Sequence, residues 1–110
     1  MKVLVAGSRS ICSFDISEYI PKNTTQIICG GAKGVDSIAA EYAEKSGIPL
    51  VVIRPEYNLY GKGAPIKRNE IMVKMADYAL IIWDGVSKGS EFTIKCAQKK
   101  GIKVRVVVVN

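Results

Sequence analysis

The chain has 110 residues, with 16 Lys and Arg against 10 Asp and Glu, no His, and a net charge of +6. This length suits one domain (residues 1–110) with a core that needs neither disulfide nor metal, and no apolar run approaches the roughly 18 residues of a membrane span. The lack of His and the scattered Cys12, Cys29 and Cys96 argue against a zinc site, so no metal ligand is expected.

The three thiols read as free cysteines of a reducing cytosol. Met1 runs straight into a strand pattern, which argues against a signal peptide. The expected location is cytoplasmic. The basic residues are dispersed rather than blocked. They favour attraction of an anionic ligand, and without an interleaved aromatic strip nucleic acid is the weaker partner.

Lys2–Ala6 is the first expected strand, apolar enough to be buried on both faces as in a parallel sheet. It closes at Gly7-Ser8-Arg9-Ser10. Asp15 is placed to N-cap a short helix through Ile20, stopped by Pro21. Gln26–Cys29 forms the second strand, and the glycine turn Gly30-Gly31-Ala32-Lys33-Gly34 follows. Val35, Ile38, Ala39, Tyr42 and Ala43 then fall on one helical face. That helix ends at Ser46, with Gly47 as its cap. Pro49–Ile53 is the third strand. Arg54–Ala64 is a loop long enough to read as functional, and Pro65 fits the first turn of a third helix. That helix sets Asn69, Met72, Val73 and Ala76 on one face. Tyr78–Trp83 is the fourth strand, followed by Asp84-Gly85-Val86-Ser87-Lys88-Gly89-Ser90. Ser90 is expected to cap a last helix reaching Lys100, and Lys103–Val109 is the fifth strand. Lys103 and Arg105 suit an edge position, where charge blunts association.

Strict alternation of strand and helix predicts a three-layer α/β domain with five parallel strands in the order 3-2-1-4-5. Ligands of such sheets sit outside the C-terminal strand ends, at the switch point. Three glycine- or serine-bearing turns meet at that edge: Gly7 to Ser10, Gly30 to Gly34, and Gly85 to Ser90. A strand, a glycine turn and a helix start aim backbone N–H groups at one point, which suits a phosphate. The spacing is neither G-x-G-x-x-G nor a Walker A loop, and a βα turn that binds nothing is the alternative.

Taken together, Gly7-Ser8-Arg9, Gly30-Gly31-Ala32-x-Gly34-x-Asp36, Arg68-Asn69-x-x-Met72 with Ala76-Asp77, and Trp83-Asp84-Gly85-x-Ser87-x-Gly89-Ser90 resemble the SLOG superfamily. The likeness is closest to its small YspA/cpYpsA-related group, and it spans nearly the whole chain. The resemblance implies a Rossmann-like fold that binds nucleotides or nucleotide-derived ligands. Some relatives are sensors of ADP-ribose-type signals, and others are phosphoribohydrolases that cleave nucleoside monophosphates. In those enzymes an Arg lies where Arg68 lies, and a glycine turn leads into Thr-x-Glu. Here Ser90 takes the Thr position and Phe92 the Glu position, with Glu91 one residue off. The enzymes' Pro-Gly-Gly is absent, with Asp84-Gly85 in its neighbourhood. No catalytic residue is therefore assigned.

The expected site comprises Gly7, Ser8, Arg9, Gly30, Gly31, Ala32, Gly34, Asp36, Arg68, Asn69, Asp84, Gly85, Ser87, Gly89 and Ser90. Two helix N-termini, from the second and fourth βα units, are expected to converge on a phosphate. Arg68 would add a charge-assisted contact and, lying at the pocket edge, would support little core. Asp36 and Asp84 could meet a ribose or simply hold turns. Tyr57 and Tyr60 are the candidates for stacking a base, while Trp83 and Tyr78 read as core. The leading function is a sensor or sequestering module for a nucleotide or ADP-ribose-type ligand. A nucleotide N-glycosidase is the alternative, and a nucleic-acid-associated protein ranks third. The expected partner is this small ligand, with no membrane. A homo-oligomer stays an open alternative.

Overall fold

Along the first strand, β1 (Lys2–Gly7), successive side chains enter opposite cores. Val3 and Val5 pack on one face of the sheet, and Leu4 and Ala6 on the other. Side chains of a strand alternate between faces, so an unbroken apolar run demands a layer of helix on each side. The computed structural model describes residues 1–109 and supplies both layers.

The strands β1, β2 (Gln26–Cys29), β3 (Leu50–Val52), β4 (Tyr78–Trp83) and β5 (Lys103–Val108) form one parallel sheet ordered β3-β2-β1-β4-β5. Helix α1 (Val35–Ser46) covers one face through Val35, Ala39 and Ala43, joined by Ile11, Ile16 and Ile20 from the segment after β1. Helices α3 (Ala64–Met75) and α4 (Lys88–Lys100) cover the other through Met72, Val73 and Ala97. The fold is Rossmann-like, and its switch point lies between the neighbouring strands β1 and β4. β5 is an edge strand, with Lys103 and Arg105 exposed and the Arg105 guanidinium 5.2 Å from the centre of the Tyr19 ring.

Three local expectations are corrected. The helix expected from Asp15 to Ile20 is only a 3-10 turn, Ser17–Tyr19, although the Asp15 carboxylate does accept the Ser17 N–H at 2.9 Å. Ile16 and Ile20 are spent as anchors into the core on either side of it, which leaves too few residues for a helical turn to propagate. The loop from Arg54 to Ala64 is mostly helical, with a short helix α2 (Tyr57–Tyr60) and a 3-10 turn (Gly61–Gly63) leading into α3. Helix α4 begins at Lys88, so its N-cap is Ser87 rather than Ser90. Trp83 explains the shift: its indole N–H donates to the Ser87 carbonyl at 3.0 Å, which also accepts the Glu91 N–H at 3.2 Å.

Candidate functional site

β1 and β4 end side by side, and their loops part to opposite faces of the sheet. A cavity of about 410 Å³ opens there. Of the residues expected from sequence, Gly7, Ser8, Arg9, Ala32, Asp36, Arg68, Asn69, Asp84, Ser87, Gly89 and Ser90 line it. Gly30 and Gly31 line an adjoining groove of similar volume, which shares Arg9, Ala32 and Arg68 with the first. Gly34 and Gly85 line neither. Sequence reasoning missed Ala6, Ser10, Pro65, Met72 and Thr93 in the cavity, and Lys33, Arg54 and Pro55 in the groove. The position of Ser10 and Lys33 inside the two turns already singled out could have pointed to them.

The floor is a hydrogen-bonded frame. Ser8, almost wholly buried, accepts the Asp84 N–H on its hydroxyl at 2.9 Å, while its carbonyl accepts the N–H groups of Ile11 and Val35. The Asp84 carboxylate accepts the Val86 and Ser87 N–H groups at 2.9 and 2.8 Å and the Ser87 and Ser10 hydroxyls at 2.8 and 3.2 Å. These donors hold its pKa well below the ordinary aspartate range, the Val86 and Ser87 N–H groups first. Asp84 therefore shapes the start of α4.

The glycine turn after β2 differs from the expectation. A Cβ on Gly34, where φ is +74°, would lie 2.5 Å from the Ser8 carbonyl oxygen and 2.7 Å from the Arg9 Cα. A Cβ on Gly30 would strike the Arg68 guanidinium, and one on Gly31 would lie 2.7 Å from Arg54 Nη1. The glycines thus let other parts of this protein approach. The α1 N-terminus is covered for the same reason: Val35 N–H is taken by Ser8, and Asp36 brings its own carboxylate, which accepts the Ala32 N–H at 3.1 Å. The expected pair of open helix N-termini reduces to one.

That one is α4. Among the described residues, the N–H groups of Lys88, Gly89 and Ser90 and the Ser90 hydroxyl have no hydrogen-bond partner. Gly89 has open space where a Cβ would point. The first N–H groups of a helix carry its positive dipole end, so partial positive charge faces this corner of the cavity.

Arg68 is also corrected. It is buried, only 7% exposed. Its Nη1 donates to the buried Gly30 carbonyl at 2.7 Å and to Ile53 at 3.4 Å, and its Nε donates to Asn69 Oδ1 at 2.8 Å. It ties α3 to the ends of β2 and β3, and its Nη2 makes no bond among the described residues. Burial raises the Asp36 pKa, opposed by the Ala32 N–H, the Arg68 charge, the Gly30 N–H and Arg9. Burial likewise lowers that of Arg68, with Asp36 acting against it. Each is the other's partial compensation for desolvation.

Glu91 forms an ion pair with Lys95 at 2.9 Å, and neither Glu91 nor Phe92 lines the cavity. The cavity's carboxylates are Asp36 and Asp84. Tyr57 lines the adjoining groove, whereas Tyr60 lies under Lys67 at 5.8 Å and lines neither. Trp83 and Tyr78 pack against the two cores. No cluster of His, Cys, Asp or Glu suited to a metal ion occurs among the described residues, and no helix among them is long and apolar enough to cross a membrane.

The order of these turns on a 3-2-1-4-5 sheet agrees with one further finding. The model of the YspA, cpYpsA-related SLOG family matches residues 1–60. The chain belongs to that family. The SLOG match takes in the turns after β1 and β2 and ends at the close of α2, so Arg68, Asn69 and the α4 start lie beyond it. No curated protein and no solved structure matches the chain. Membership in the SLOG family supports a nucleotide-related binding or processing role.

Proposed function

We propose that this protein is a binding module for a nucleotide or nucleotide-derived ligand, acting as a sensor or sequestering protein. The observation that carries the reading is the α4 N-terminus, with its unpartnered N–H groups and Ser90 hydroxyl, opening on the switch-point cavity. A phosphate there would meet backbone donors on one side and the charges of Arg9 and Arg68 on another. Asp36 and Asp84 bond to backbone N–H groups of their own turns, so both serve the frame. Ligand binding rather than hydrolysis is the activity this arrangement supports.

The test is Gly89→Glu. In the second position of α4 a carboxylate suits the helix dipole and replaces a glycine, so the fold should gain about 0.5–1 kcal/mol. The same carboxylate would occupy the anion's place. Calorimetric titration with AMP, NAD and ADP-ribose should show binding to wild type and at least a tenfold loss in the variant. Equal binding by both proteins would move the phosphate elsewhere.

A further inference from the structure

The groove beside the cavity differs from it in charge. Arg9, Lys33 and Arg54 stand around it with the Tyr57 ring, and no carboxylate lines it. The cavity, by contrast, sets Arg9 and Arg68 against Asp36 and Asp84. The three outer cations are exposed, and none has a carboxylate within 4.0 Å among the described residues. Arg54 makes one long bond, to the Gly31 carbonyl at 3.4 Å, which leaves its other donors open. Elsewhere on the surface the i,i+4 cations Lys45 and Lys95 do find acidic partners. Like charges brought together without a counter-ion repel, and a bound anion relieves that repulsion.

The groove and the cavity share Arg9, Ala32 and Arg68, so they adjoin along these three residues. Arg9 stands at the junction. We propose that the groove is a second anion subsite, held by Lys33 and Arg54, that selects ligands carrying a second phosphate over nucleoside monophosphates. This rests on the reading of the α4 corner as the first phosphate site. Tyr57, 57% exposed, lines the same groove. Exposed charge pairs each contribute little. Two of them acting on one phosphate therefore predict a preference of roughly twofold to thirtyfold.

The experiment compares nucleoside monophosphates with the matching diphosphates of adenosine, guanosine, cytidine and uridine, so that the contribution of the base cancels within each pair. Wild type and the double variant Lys33→Gln/Arg54→Gln are titrated by calorimetry at two salt concentrations. Both side chains are exposed, and circular dichroism checks that the variant is folded. Wild type should prefer the diphosphate by about twofold to thirtyfold, with the steeper salt dependence on that arm. The variant should bind the monophosphate as wild type does and lose the preference. A variant that keeps the preference, or loses both ligands equally, overturns the second subsite. So does a wild type that binds both members of a pair alike, and in that case the first phosphate site still stands. If no member of any pair binds wild type, the cavity reading falls together with this one.

Discussion

Replacing Arg68 with Met tests whether this residue is a strut of the fold as well as a wall of the cavity. The substitution keeps an unbranched side chain of similar reach and removes the charge and every donor. The buried Gly30 carbonyl loses its partner at 2.7 Å, and Asn69 Oδ1 loses the Nε donor at 2.8 Å. A hydrogen bond from a charged group is worth about 1.5–3 kcal/mol, and a neutral one about 1. Asp36, buried beside it, also loses a cation that holds its pKa down. Removing one side of a buried charge arrangement typically costs about 3–5 kcal/mol. With a urea m-value of about 1.5 kcal/mol/M for a domain of this size, the midpoint should fall by roughly 2–3 M.

The sign of the pH dependence is fixed. The folded pKa of Asp36 is already above its ordinary value of 3.8, so the folded state binds the extra proton and stability falls as pH rises through that window. Without Arg68 the folded pKa rises further. The deficit of the variant should therefore be largest at neutral pH and shrink as the ordinary aspartate range is approached. Urea unfolding followed by tryptophan fluorescence at neutral and mildly acidic pH measures both quantities. A midpoint shift under about 0.3 M, or a deficit that does not change with pH, would refute the reasoning.

Gly34→Ala should destabilise by at least about 2 kcal/mol in the same assay, because its Cβ would meet the Ser8 and Arg9 carbonyl oxygens at 2.5 and 2.6 Å. A neutral result would show that the loop after β1 yields easily. Lys100→Met should cost about 1–2 kcal/mol, since Lys100 Nζ donates to the Val73, Lys74 and Ala76 carbonyls at 2.7–3.0 Å and so caps the end of α3. Hydrogen exchange at that end of α3 should quicken in the variant. Asp84→Ala should lower the melting temperature by loosening the start of α4. Because the folded Asp84 pKa is depressed, its contribution is present above the ordinary value of 3.8 and is lost as pH falls below it. The gap in melting temperature between wild type and variant should therefore narrow in acid, and a constant gap would mean that the carboxylate's charge plays no part.

Signals confined to a dozen residues were sufficient for the frame of this protein. The buried run Val3–Ala6, the helical face Val35 to Ala43, Gly47 as cap and Pro65 at a helix start determined the strands, the helices and their alternation. Alternation together with the handedness of crossovers then leads to a parallel sheet with its ligand edge at the C-terminal strand ends. The residues that turn toward that edge were legible for the same reason, since the end of a strand is a local property. Tertiary structure alone decided what each of them faces. Gly30 must be glycine because of a guanidinium 38 positions away, and Gly34 because of the loop after β1. Ser87, not Ser90, caps the start of α4 because the Trp83 indole fixes its carbonyl. Arg68 is a buried tie rather than a rim charge, and Lys33 and Arg54 meet only when β2 and β3 lie side by side. Periodicity and propensity report how a segment folds on itself, whereas close approach, burial and charge clustering depend on which distant segments share the same space.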